Sequence, residues 1–184
     1  FRYAQERWEE AMADYRSAMD MATIGGFDLL AENCANNIGA VAASAGEFDL
    51  ALRLFDSLRT ALGGQRPAFR AALSGQIGYI RDMQGDHAAA LPILQQAIAL
   101  SDSLGDARAA ADTRQYLASA LWAMGRRREA IAERRKVLDA MIADGDGHME
   151  VETRWILWEW YEAVGDKDAA LREARIMSLL DDSL

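Results

Sequence analysis

The sequence is short of the residues on which most enzyme chemistry depends. Its one cysteine, Cys34, allows no intrachain disulfide, which points to a reducing compartment and sets the expectation of a cytoplasmic protein. There are two histidines; His87 falls at an inter-helix turn and His148 at a helix start, and both read as surface residues. No glycine-rich phosphate loop, metal-ligand pair at helical spacing or nucleophile elbow is present, so a non-enzyme without metal or cofactor is expected. Lysine is almost missing, Lys136 and Lys167 being the only two, and the formal net charge is -9. That balance disfavours nucleic acid and anionic membrane surfaces, because both reward a basic face. No uncharged apolar run approaches the ~20 residues that cross a bilayer, so no membrane insertion is expected. Only two prolines and few β-branched residues occur among many alanines, a helix-forming composition. The chain begins at Phe1 and not at methionine, which suggests a segment of a longer protein, so the lack of a signal peptide carries no weight.

What is present is periodic. Gly46, Gly85, Gly125 and Gly165 follow one another at 39, 40 and 40 residues, each at a turn between two apolar-periodic segments. Five residues after each comes alanine: Ala51, Ala90, Ala130 and Ala170. Eight residues before each come Ile38, Ile77, Leu117 and Leu157, followed by Gly39, Gly78, Ala118 and then Trp158, which breaks the rule. Two antiparallel helices approach closely only where neither carries bulk at the crossing, so the small residues mark the crossing and the larger ones pack around it. Stepping back a further 40 from Gly46 reaches Glu6, with Ala11 five beyond, a truncated extra unit.

This pattern resembles the tetratricopeptide repeat (TPR) family, in which apolar-Gly on the first helix is met by Ala and a large residue four later on the second. Tyr15, Phe55 and Leu94 fit the large position; Arg134 and Ala174 depart from it. The period exceeds the family's usual 34 residues and is similar to extended repeats of bacterial regulatory proteins. The resemblance implies an all-α fold, a right-handed α-solenoid of antiparallel helix pairs forming one array over 1–184. Its units are 1–26 (partial), 27–66, 67–105, 106–146 and 147–184.

Turn chemistry sets the helix limits. Phe1 to Gln5 is expected to be the tail of one helix, and Trp8 to Ile24 its partner. Gly25-Gly26 and Gly63-Gly64 end helices, Pro67 suits a first turn, and Asp86 and Asp106 suit caps. Pro92 lies inside a helix, where a local kink or a lost hydrogen bond near Ala88 is expected. Asp144-Gly-Asp-Gly147 starts like a calcium loop, but its sixth and twelfth positions hold Met149 and Trp155 where glycine and glutamate are needed, so an acidic turn is expected. Arg126, Arg127 and Arg128 with Arg134, Arg135 and Lys136 form a basic cluster, read as a solvated face partly paired with Glu129, Glu133 and Asp139.

In the TPR family the first helices line a concave groove. By resemblance, the groove positions here are Asn33, Asn36 and Asn37, with Ala40 and Ala43, in one unit and Gln76, Tyr79 and Asp82 in the next. Asp112, Gln115, Tyr116, Ser119 and Trp122 follow, then Glu152, Trp155, Ile156, Glu159 and Glu162. The cations that hold a carboxylate in chaperone-tail binders are missing, so an acidic, aromatic groove for a basic or neutral protein or peptide is expected. The alternative is a homo-oligomerisation module, a homodimer through the tryptophan-rich end, with Trp158, Trp160, Met177 and Leu180 as interface candidates. Trp155 and Trp158 are placed to share a helix face and Trp160 to point elsewhere. The final residues, REARIMSLLDDSL, resemble the junction by which bacterial TPR arrays feed an effector domain. The expectation is therefore a sensory or scaffolding module continuing into such a domain.

Overall fold

The computed structural model describes the backbone of residues 2–181 and the side chains of residues 7–180. These residues form nine helices: α1 (Arg2–Ile24), α2 (Asp28–Ser44), α3 (Phe48–Leu62), α4 (Pro67–Met83), α5 (His87–Ser103), α6 (Ala107–Ala123), α7 (Arg127–Asp144), α8 (Gly147–Val164) and α9 (Lys167–Asp181). Each packs on the next, and the pairs α2–α3, α4–α5, α6–α7 and α8–α9 are the four complete units. The break expected near Glu6 does not exist. Arg2–Ile24 is one uninterrupted helix of 23 residues, so the first unit supplies a single long helix; Phe1 and residues 182–184 lie outside the described residues. α1 touches only α2, and Ala11 is half-buried where the equivalent alanines are fully covered.

The helix limits follow local chemistry. The turn glycines Gly46, Gly85, Gly125 and Gly165 have φ of 82°, 81°, 76° and 80°, a region where a side chain is strained. Asp86, Asp106, Asp146 and Asp166 each accept a hydrogen bond from the backbone N–H three residues on, at Ala89, Ala109, Met149 and Ala169, which relieves one orphan donor of the new helix. Pro67 opens α4, and α5 runs through Pro92.

The small residues do what the repeat requires. Ala51, Ala90 and Ala130 are 0% exposed and Ala170 1%. Gly39 lies under Phe55, where a Cβ would come within 2.5 Å of Phe55 Cε1, and Gly78 lies under Leu94, at 2.6 Å from Cδ2. The glycine thus receives the large residue of the facing helix, and the alanine lets the backbones close. Leu117, Leu121, Ile98 and Trp160 carry the core onward; Leu138, Leu157 and Tyr161 close it against α9. Arg154, 7% exposed, ties α8 to α9 by Nη1 to Glu173 (2.7 Å) and is braced within α8 by Nε to Glu150 (2.9 Å).

The even-numbered helices form the tighter layer. α4 meets both α2 and α6, while no two of α3, α5 and α7 approach to 8 Å between Cα atoms among the described residues. A stack whose one layer is in contact and whose other is spread must curve toward the contacting layer, so α2, α4 and α6 line the inner side. The closest approach is α4 on α6. It needs Gly75, whose missing Cβ would sit 2.9 Å from Thr113 Oγ1. One unit later Gln115 stands at the place of Gly75, and α6 and α8 have no Cα atoms within 8 Å. The stacked indoles of Trp122 and Trp160 bridge that gap instead, with centroids 4.4 Å apart and planes 5° from parallel.

Candidate ligand-binding face

None of the eighteen side chains expected on the inner wall is buried. Asn36, Asn37, Gln76, Tyr79, Asp82, Gln115, Tyr116 and Trp122 are half-buried, and Asn33, Ser119, Trp155 and Glu159 are exposed. At the centre, Tyr79 of α4 and Tyr116 of α6 meet with ring centroids 4.6 Å apart and planes tilted by 34°. Beside them is a recess of about 160 Å³ between α4 and α6, lined by Gln76, Asp112, Thr113, Gln115 and Tyr116 with Gly75 at its base. A larger hollow of about 610 Å³ lies at the α1–α2 turn around Phe27, Leu29 and Leu30, but it is open and only Asp28 and Asn33 give it polar character. The α4–α6 recess is the better candidate, because several polar groups converge on it with an aromatic wall.

The recess is electrostatically unusual. Burial pushes the Asp112 carboxyl above its ordinary value, against the pull of Arg108. Burial also raises the Tyr116 hydroxyl, helped by the charge of Asp112 and by Tyr79. Arg108 is shared three ways: Nη1 lies 2.9 Å from Asp144 Oδ2 and 3.0 Å from Asp146 Oδ2, while Nε is 3.4 Å from Asp112 Oδ1. The Asp144–Gly147 turn, acidic as expected, is therefore a clamp that holds Arg108 at the start of α6 to the end of α7. Sequence reasoning noted its charge and missed its partner, although Arg108 stands 36 residues before Asp144, close to one period. Gly75 was missed too; an isolated glycine inside a helix was the available signal.

Other expectations are corrected. Arg134 does not belong to a solvated basic face: it is 3% exposed, burial lowers its pKa with Glu152 opposing, and its Nε has no hydrogen-bond partner. Its place in the repeat explains this, since it occupies the large position filled by Phe55 and Leu94, both buried. Arg126 pairs with Glu129 and Lys136 with Glu133. Arg127 lies over the Trp122 ring, 4.0 Å from its centroid, and donates from Nη1 to the Trp122 carbonyl. His87 is not a free surface residue; its Nδ1 is 2.6 Å from Asp82 Oδ1. Trp160 is 9% exposed against Trp122 and offers no surface for a partner. Trp155 and Trp158 share a face, 6.4 Å apart, with Trp155 49% exposed. Trp158, Met177 and Leu180 are half-buried.

The architecture is that of a TPR-like α-solenoid. Among solved structures it is similar to BtubC from P. vanneervenii, with a TM-score of 0.82 and 15% identity over 96% of this chain and 74% of that one. It is similar to a Rap protein complexed with competence and sporulation factor, with a TM-score of 0.81 and 14% identity over 97% of this chain and 50% of that one. MamA from Desulfovibrio magneticus RS-1 aligns with a TM-score of 0.64 and 17% identity over 94% of this chain and 96% of its own. The chain thus spans half the length of the Rap protein, and these identities establish the fold. No family model matches the sequence, and no curated protein does. No helix among the described residues is long and apolar enough to cross a membrane.

Proposed function

We propose that the chain is a protein- or peptide-binding module without catalysis, whose ligand lies along the inner wall of α2, α4, α6 and α8. It serves as the sensory or scaffolding part of a larger bacterial regulator in the cytoplasm. The observation that carries the reading is the Tyr79–Tyr116 pair beside the polar recess between α4 and α6. Half-buried tyrosines flanked by amides are favoured anchors for an extended chain, giving apolar area at little entropic cost and paired donors and acceptors for its backbone. The Rap protein of the same fold was solved in complex with competence and sporulation factor, which supports the reading by analogy of fold alone. A peptide array probed with wild-type protein and with Tyr79→Ala and Tyr116→Ala tests it. The expected result is peptide binding that falls at least tenfold in both variants, and binding that neither variant alters would count against the inner wall.

A second reading, self-association through the C-terminal end, is favoured by the exposure of Trp155 (49%), Leu171 (51%) and Leu179 (70%). Light scattering on wild type and Trp158→Ala separates it from the first. A dimer that Trp158→Ala dissociates would support it, and a monomer in both would remove it.

A further inference from the structure

The recess between α4 and α6 carries a more specific statement, resting on the groove reading above. We propose that it is a pocket for a primary alkylammonium group, the side chain of a lysine on the bound peptide. Three observations point there. The first is charge. Asp112, Asp144 and Asp146 share one guanidinium, that of Arg108, so the cluster keeps two negative charges in excess. Arg108 sits closer to Asp144 and Asp146 than to Asp112, and Asp112 is the member that lines the recess. Its carboxyl is held above the ordinary value by burial although an arginine is near, the behaviour of a carboxylate whose charge is under-compensated.

The second observation is the donor and acceptor set. The side-chain amides of Gln76 and Gln115 border the same space and offer carbonyl oxygens to an ammonium, which has three donors and no acceptor. The Tyr116 ring forms one wall, braced by Tyr79, and an ammonium against such a ring gains a cation–π attraction. The third is size. The recess, about 160 Å³ and open at one side, has room for an unbranched aliphatic chain ending in an ammonium. A guanidinium is larger and planar and needs two coplanar acceptors, whereas Arg108 already takes one edge of Asp112.

The experiment has two arms. In the first, ¹⁵N-labelled protein is titrated with n-butylamine hydrochloride and, as the comparison, with tetramethylammonium chloride. Butylammonium is expected to shift the side-chain amide signals of Gln76 and Gln115 in wild type, and at least tenfold more weakly in Asp112→Asn and in Ala72→Leu, which fills the recess; tetramethylammonium should not. In the second, peptides selected on the array are compared with copies in which each lysine is Nε-acetylated, with a tenfold or greater loss expected for acetylation in wild type and none in Asp112→Asn. Circular dichroism confirms that both variants are folded; if Ala72→Leu is not, Asp112→Asn alone decides. Butylammonium shifts that Asp112→Asn leaves intact, or none at all, overturn the pocket. Peptides that bind through Tyr79 and Tyr116 without any dependence on lysine also overturn it and leave the groove reading standing. Butylammonium binding with no peptide binding keeps the pocket, as a site for a free amine, and removes the groove.

Discussion

At the scale of single residues, this protein is governed by where a Cβ is tolerated. Gly78 receives Leu94, and its added Cβ would meet two side-chain atoms of that leucine at 2.6 Å. Gly78→Ala is therefore expected to destabilise by about 1–3 kcal/mol through overpacking, measured as a lower denaturant midpoint at unchanged slope; an unshifted midpoint would show that Leu94 can move aside. Charge acts residue by residue as well. The Asp146 carboxyl lies below its ordinary value, chiefly because it accepts the Met149 N–H and then because of Arg108. A carboxyl depressed on folding contributes stability that is complete above its unfolded value of about 3.9 and is lost as pH falls through the lower folded value. Wild type should then lose more melting temperature than Asp146→Asn between pH 5 and the acid limit, because asparagine keeps the cap without the charge; parallel curves would refute the assignment. Asp112 works with the opposite sign, since burial holds its pKa up and protonation relieves a cost.

At the scale of helices, the spacing between neighbours in the inner layer is set by one position per unit. Gly75 lets α6 settle on α4 through Thr113, while at the next equivalent place stands Gln115, the α6 and α8 backbones stay apart, and two indoles stack across the interval. Trp122 and Trp160 should therefore be energetically coupled across two helices that have no Cα atoms within 8 Å of each other. A double-mutant cycle to alanine is expected to give about 0.5–1.5 kcal/mol of interaction, and additive single effects would mean that the stack is incidental. The repeat pattern signalled the helix pairs and their crossings directly, since Ala51, Ala90, Ala130 and Ala170 recur in phase and all are covered. It did not signal Arg134 as buried, because a cation in a charged stretch reads as solvated until the packing position is given priority. Nor did it show that α1 is unbroken, since an in-phase alanine, Ala11, persists where no turn glycine marks a helix pair.

At the scale of the molecule, contacts are nearest-neighbour with a dense middle. A solenoid's stability is a sum of units and interfaces, so it should open from its ends. Hydrogen exchange is expected to be slowest in α4 and α6, which also pack on each other across the inner layer, and in α5 between them, and faster in α1 and α9, each of which touches one helix. Uniform protection along the chain would mean that the array unfolds as a single block.

The sequence by itself determined the four complete helix pairs and their turns. These depend on local rules: glycine for a positive φ, aspartate for a cap, and small residues at a fixed period for a crossing. Only the tertiary structure decided which wall residues converge. Curvature and the α4–α6 approach join residues from different units, and the sharing of Arg108 brings the start of α6 to the end of α7 and the turn beyond it. Such distances follow from how whole helices stack, and no pattern within one period encodes them.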